Sequence, residues 1–195
     1  MAEKFDPRNW DKLENPDRLV ELPPANLIKL LELTGAETVV DFGAGTGMYS
    51  LPVAEALPNG LLVAIDAHEE LLQRLLDKVT AAPPAGRVQA VQNAGGHVTL
   101  PDGEADRVFM VNVLHHIHDE PDALAEVHRL LAPRGRLVSV DFAQMDRPVG
   151  PPNDHVLALD KARDVLTGMG LRELAVYQPG EVGRYHIAIV AEKAD

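Results

Sequence analysis

Cysteine is absent from the chain. Disulfide frameworks, zinc-thiolate sites and thiolate nucleophiles are therefore excluded. Aromatic residues make up only 4% of the sequence, so Phe5 and Trp10, close together near the start, stand out. No apolar run is long enough to cross a bilayer, and Met1-Ala2-Glu3-Lys4-Phe5-Asp6 does not read as a signal peptide. We expect a cytoplasmic protein without membrane insertion. Basic residues are in deficit, with 18 Lys and Arg against 30 Asp and Glu, a net charge of −12. Phosphate repulsion would oppose nucleic-acid binding unless a basic patch were segregated, and the sequence shows none. Arg129, Arg134 and Arg136 cluster where a helix hands over to a strand, a position that suits cations.

What is present is a chain of 195 residues, suited to one domain, with 46% hydrophobic residues. Its organising stretch is Val39-Val40-Asp41-Phe42-Gly43-Ala44-Gly45-Thr46-Gly47-Met48. Val39, Val40 and Phe42 predict a buried strand, the alternate glycines a turn free of side chains, and Met48–Leu57 a helix. A strand, a glycine turn and a helix start form a nucleotide-binding crossover. A dinucleotide site would space its glycines as Gly-x-Gly-x-x-Gly, and the third would then fall at Met48. Asp41, at the strand end, suits a cationic ligand or a hydrogen-bond donor better than a pyrophosphate.

Elsewhere strands and helices alternate. Residues 1–22 read as polar and irregular, with Asp6-Pro7 and Asn15-Pro16 as turns. Phe5 and Trp10 would either staple this segment to the core or belong to a lid. A helix opens at Pro23-Pro24 and stops at Gly35. Strand 1 is Thr38–Phe42 and strand 2 is Leu61–Ile65, ending at Asp66. That acid lies about 20 residues past the glycines, where a crossover fold accepts ribose hydroxyls. It could equally cap the following helix, His68–Val79. Strand 3 is Val88–Val91 and strand 4 is Arg107–Val111. A helix from Pro121 to Leu131 precedes strand 5, Arg136–Phe142. The loop Met145–His155 leads to a helix over Leu157–Met169. Leu171–Tyr177 and Arg184–Ala191, joined by the short Pro179-Gly180 loop, should form an antiparallel hairpin. The alternation gives a mostly parallel sheet with helices on both faces.

Asp-x-Gly-x-Gly-x-Gly, from Asp41 to Gly47, resembles the first motif of class I S-adenosylmethionine (SAM) methyltransferases. The Pro101 to Asp106 approach to strand 4 and Leu131-x-Pro133-x-Gly135-x-Leu137 before strand 5 are similar to the same family. Asn112-Val113-Leu114-His115-His116 resembles the Asn-x-Leu-His-His stretch of its UbiE-like (ubiquinone/menaquinone-type) small-molecule members. The resemblance covers roughly residues 25–192. It implies a Rossmann-like α/β fold and a seven-stranded sheet of order 3-2-1-4-5-7-6 with the last strand antiparallel; with the chain length, one domain spanning 1–195 is expected, its residues 1–22 a candidate lid on the strength of Phe5 and Trp10. It also implies SAM as cofactor and a small-molecule acceptor, and leaves the oligomeric state open. Asp41, Gly43, Ala44, Gly45, Asp66, Ala67, Asn93, Ala94 and Asn112 are the cofactor positions it implies. Asn93 stands where relatives often carry an aspartate, and an amide can still accept from an adenine amino group.

His115, His116 and His118 crowd the end of strand 4. They could supply a general base, a metal site completed by Asp119 or Asp141, or simply pocket wall. No metal is expected, since the spacing is not that of a zinc motif. His116 is the preferred base, with His115 second. His155 could face the same cleft, whereas His128 reads as helix surface. Asp141, Asn153 and Asp154 would add polarity to the acceptor pocket, and Ile117, Met145 and Val149 apolar walls. The missing cysteines rule out the thiolate chemistry of the similar arsenite methyltransferases. A SAM- or nucleotide-binding protein without transferase activity is the alternative reading. A nicotinamide-dependent oxidoreductase is disfavoured by the glycine spacing and the lack of a Tyr-x-x-x-Lys pair.

Overall fold

The computed structural model describes residues 6–93, 97–148 and 150–195. Seven strands among them form one sheet: β1 (Thr38–Phe42), β2 (Leu61–Asp66), β3 (Arg87–Gln92), β4 (Ala105–Val111), β5 (Leu131–Phe142), β6 (Leu171–Tyr177) and β7 (His186–Lys193). Their order is β3-β2-β1-β4-β5-β7-β6, with β7 antiparallel to both of its neighbours. The expected fold class and strand order are met.

Side chains alternate across each strand, so consecutive apolar residues feed two layers. Val39, Leu62, Phe109 and Val138 pack with helices α2 (Pro24–Leu31), α3 (Ser50–Glu55) and α4 (Glu69–Ala81). Val40, Val63, Val108 and Leu137 pack on the other face with α5 (Leu114–Ile117), α6 (Pro121–Leu130) and α7 (Leu159–Gly168). This two-sided cover is why β1 and β2 read as unbroken apolar runs. Among the described residues no helix is long and apolar enough to cross a membrane.

The N-terminal segment departs from the irregular chain expected. Pro7–Glu14 is a 3-10 helix and Asp17–Glu21 is helix α1. Both turn signals are helix starts: the Asp6 side chain accepts from Arg8 N–H (3.0 Å) with Pro7 in the first turn, and Asn15 Oδ1 accepts from Asp17 N–H (3.0 Å). Trp10 stacks on α4, with the Arg74 guanidinium carbon 3.7 Å from its ring centre. Phe5 lies outside the described residues.

The β5 boundary also differs. Leu131 pairs with Ala105, and the chain then detours through Pro133, Arg134 (φ +59°) and Gly135 before Arg136 rejoins opposite Arg107. Helix α6 consequently ends at Leu130. After β4, Leu114–Ile117 makes a helical turn that the sequence reading passed over.

Candidate functional site

A cleft of about 1620 Å³ opens beyond the C-terminal ends of β1, β2 and β4, where ligands of doubly wound sheets bind. Asp41, Gly43, Ala44, Gly45, Asp66, Ala67, Asn93 and Asn112 all line it, as do His115 and His116. Ala94 falls outside the described residues.

The glycine turn closes on the neighbouring strand: Gly43 N–H and Ala44 N–H both donate to Ile65 O, at 2.8 and 2.9 Å. Its glycines serve different ends. A Cβ on Gly43 would collide with Val113, and one on Gly47 would come within 2.7 Å of Leu75. At those two the protein itself fills the space a side chain would need, although Gly43 also lines the cleft. Gly45 is more open: a Cβ there would meet only Leu13 of the N-terminal segment, at 3.2 Å.

Asp66 lies across the turn. Its Oδ2 accepts from Gly45 N–H (2.7 Å), and its Oδ1 accepts from His68 N–H (2.9 Å) and stands 3.2 Å from His68 Nδ1. His68, not Asp66, occupies the N-cap position of α4. A carboxylate offers about four acceptor directions, so capacity remains for a ligand hydroxyl. Asn93 N–H donates to Asp66 O (2.8 Å), which fixes Asn93 beside the acid.

Asp41 is buried, at 3% exposure, and Ser50 Oγ–H donates to its Oδ2 at 2.5 Å. Burial pushes its carboxyl up to about 7, with the Asp66 charge adding to the rise and the Ser50 bond opposing it. Asn112 takes a left-handed backbone (φ +58°), pinned by its N–H to Val140 O (2.8 Å). Among the described residues its buried Oδ1 has no hydrogen-bond partner. A buried amide oxygen left without a donor is costly, and a ligand donor would relieve it.

His115 sits at the start of α5, nearly sealed, with Nδ1 2.7 Å from Asp141 Oδ1. Asp141 Oδ2 also accepts from His115 N–H (3.1 Å). His116 packs against His115 with the rings tilted by 40° and their centres 4.0 Å apart. His118 Nδ1 turns to His115 O (3.0 Å), away from any shared ligand. Among the described residues no three ligating side chains converge as a metal site.

The part of the cleft expected to take an acceptor differs in detail from expectation. His155 and Ile117 line the cleft together with Phe142, Pro151 and Pro152. Asp141, Met145, Asn153 and Asp154 are not lining residues: Asp141 stands behind His115, and Asn153 accepts from Arg147. Val149 lies outside the described residues. His128 lies half-buried on α6, apart from the cleft.

Sequence reasoning missed Arg147 and His186. The Arg147 guanidinium gathers Ala143 O, Met145 O, Pro151 O and Asn153 Oδ1, and stands 5.1 Å from the Phe142 ring centre, so it shapes the whole loop. Buried His186 stacks on the other participant in that contact, Phe142 (4.4 Å), and burial lowers it to about 4. Neither residue sits in a motif, and only the three-dimensional packing reveals them.

The methyltransferase-domain family matches residues 40–139 of this chain. Among curated proteins it is similar to the ubiquinone/menaquinone biosynthesis C-methyltransferase UbiE of Syntrophotalea carbinolica. Identity is 28% over 122 residues, covering 63% of this chain and 51% of that protein. The chain thus spans about half the length of the curated relatives it matches. Among solved structures, a SAM-dependent methyltransferase from Aquifex aeolicus superposes with a TM-score of 0.89 at 28% identity, over 97% of this chain and 99% of that one. The [4+2]-cyclase SpnF shares the fold, with a TM-score of 0.76 at 16% identity over 91% of this chain and 80% of that one. With the family match spanning the glycine turn, Asp66 and the histidines of α5, the chain belongs to the methyltransferase-domain family.

Proposed function

We propose that this protein is a SAM-dependent methyltransferase acting on a small molecule. The observation that carries the reading is the Gly45 amide 2.7 Å from Asp66 at the mouth of a cleft that also holds buried Asp41. The residues fit the cofactor. Gly45 lacks a Cβ where a ligand would pass, Asp66 keeps acceptor capacity for a ribose, and the orphaned Asn112 Oδ1 awaits a donor. In this reading Asp41 takes the amino-acid end of the cofactor and Asn93 its adenine, supported by both lining the cleft together with Ala44 and Ala67. When bound, SAM supplies an electrophilic methyl group on a sulfonium. The chain's part is alignment: holding donor and acceptor in line can contribute about 7–11 kcal/mol.

The whole chain, 1–195, acts as one domain in this reading, with residues 1–22 as its lid. Leu13 against Gly45, and Lys78 bonded to both Glu14 (2.5 Å) and Thr46 O (2.9 Å), support that role. A cytoplasmic location and the lack of a nucleic-acid partner accompany it, the latter supported by the charge of −12. The SpnF likeness is a reminder that a fold alone does not name a reaction.

A thermal-shift panel followed by transfer of a labelled methyl group tests the proposal. S-adenosylhomocysteine should raise the melting temperature and NAD should not. Label from SAM should then appear on a compound in a metabolite extract. Binding without transfer would favour a SAM-binding protein that is not a transferase. Stabilisation by NAD alone would favour an oxidoreductase.

A further inference from the structure

The pairing of His115 with Asp141 is more than the local fold requires. Asp141 Oδ2 already caps the start of α5 by accepting from His115 N–H (3.1 Å), and Oδ1 accepts from Phe142 N–H (2.9 Å). Those bonds need only the carboxylate. Yet the imidazole is also drawn in, with Nδ1 2.7 Å from Oδ1 in a pair that is about 95% buried. A carboxylate accepts, so Nδ1 carries a proton, and in that Nδ1–H tautomer the lone pair is on Nε2. Among the described residues no hydrogen bond uses Nε2, and that atom is not one of those sealed from solvent without a partner. His115 lines the cleft. A base oriented and fixed in one tautomer by a second group is the arrangement that proton removal needs.

A neutral amine can attack a methyl group before losing any proton, so this pair would be superfluous for it. A hydroxyl must surrender its proton. Alkyl alcohols are too weakly acidic for an imidazole, whereas a phenol ionises near 10, a few units away. The adjoining walls, Ile117, Phe142, Pro151 and Pro152, suit a flat apolar ring.

Resting on the methyltransferase reading, we propose that His115 Nε2 is the proton acceptor for a phenolic methyl acceptor, with Asp141 as its positioning residue. The phenol O–H bond breaks and its proton passes to Nε2. The phenol oxygen forms its bond to the methyl carbon while the sulfur keeps the electron pair of the bond that breaks. The positive charge that began on sulfur ends on the His115 imidazolium, beside the Asp141 carboxylate.

The test uses 4-nitrophenol as probe and the full chain saturated with S-adenosylhomocysteine, at a pH below that at which the free probe ionises. Wild type should generate the phenolate absorption band, saturating at one probe per chain. His115→Gln should abolish the band, and Asp141→Asn should reduce it about tenfold or more. No band with wild type, or a full band with His115→Gln, overturns the proposal. Should the variants fold poorly, nitrogen-15 NMR of the wild-type imidazoles is decisive: the Nδ1–H tautomer at His115 is expected, and the Nε2–H tautomer contradicts it. Failure of the wild type to bind S-adenosylhomocysteine would instead remove the methyltransferase reading, a separate result from the tautomer.

Discussion

The Oδ2 of Asp66 lies 2.7 Å from the amide nitrogen of Gly45, so the end of β2 and the turn after β1 are held together by a group also available to a ligand. Replacing Asp66 with Ala strands the Gly45 and His68 amides and removes the ribose acceptor. Affinity for S-adenosylhomocysteine should fall by about 1–3 kcal/mol in calorimetry. An unchanged affinity would mean that the ribose is held elsewhere.

The glycines of the turn should separate into two kinds. Gly43→Ala drives a methyl into Val113 at a φ of +84°, so it should lower stability by about 1–3 kcal/mol in urea unfolding. A Cβ on Gly45 meets only Leu13, at φ +55°, so Gly45→Ala strains the backbone without such a collision and should cost less stability while weakening ligand binding. If both variants bind S-adenosylhomocysteine as wild type does, the turn is not a cofactor cradle.

Asp41 should leave a signature in the pH dependence of stability. Its carboxyl is raised to about 7 in the fold, against about 4 in an unfolded chain. Between those values the folded state holds a proton that the unfolded state releases. The contribution is therefore fully present below about pH 4, is lost as pH rises to about 7, and is flat beyond. Asp41→Asn, which keeps the shape without the charge, should flatten this slope and gain relative stability at pH 8. Parallel wild-type and variant curves between pH 5 and 8 would show that the buried acid is ionised throughout.

Glu126 anchors the approach to β4. It accepts from Arg129 Nη2 (2.6 Å) and Nε (2.8 Å) and from Val98 N–H (2.9 Å), with His97 Nδ1 2.7 Å away. The Arg129 bonds, opposed by burial and aided by Val98 and His97, hold its carboxyl down at about 2. That stability is present above about pH 4.5 and lost as pH falls toward 2. Glu126→Ala should cost about 1.5–3 kcal/mol at neutral pH. A melting temperature within error of wild type would mean that Asp102 and the carbonyls of Leu100 and Val98 satisfy Arg129 without Glu126.

The strands β1 and β2, the glycine turn and the gathering of Asp41, Asp66 and Asn112 at one cleft were legible because they rest on local signals, while the order of the sheet came with the family resemblance. Apolar runs marked β1 and β2, the glycines marked the turn, and Asp66 closed a strand at the expected distance. The acceptor side was not, because its geometry is set by contacts between segments distant in sequence. Asp141 reaches back 26 residues to His115, and Arg147 shapes its loop through carbonyls that carry no sequence signature. The helical N-terminus was missed for another reason: Asp-Pro and Asn-Pro serve equally as turns and as helix caps, and only the packing of Leu13 and Trp10 decides.

The central claim is that the cleft at the ends of β1 and β2 is a SAM site held by Asp66. Isothermal titration of the full chain with S-adenosylhomocysteine tests it most directly. Saturable binding of one molecule per chain is expected, displaced by SAM, indifferent to NAD and weakened in Asp66→Ala. Absence of binding, or binding that NAD displaces and Asp66→Ala leaves intact, would contradict it.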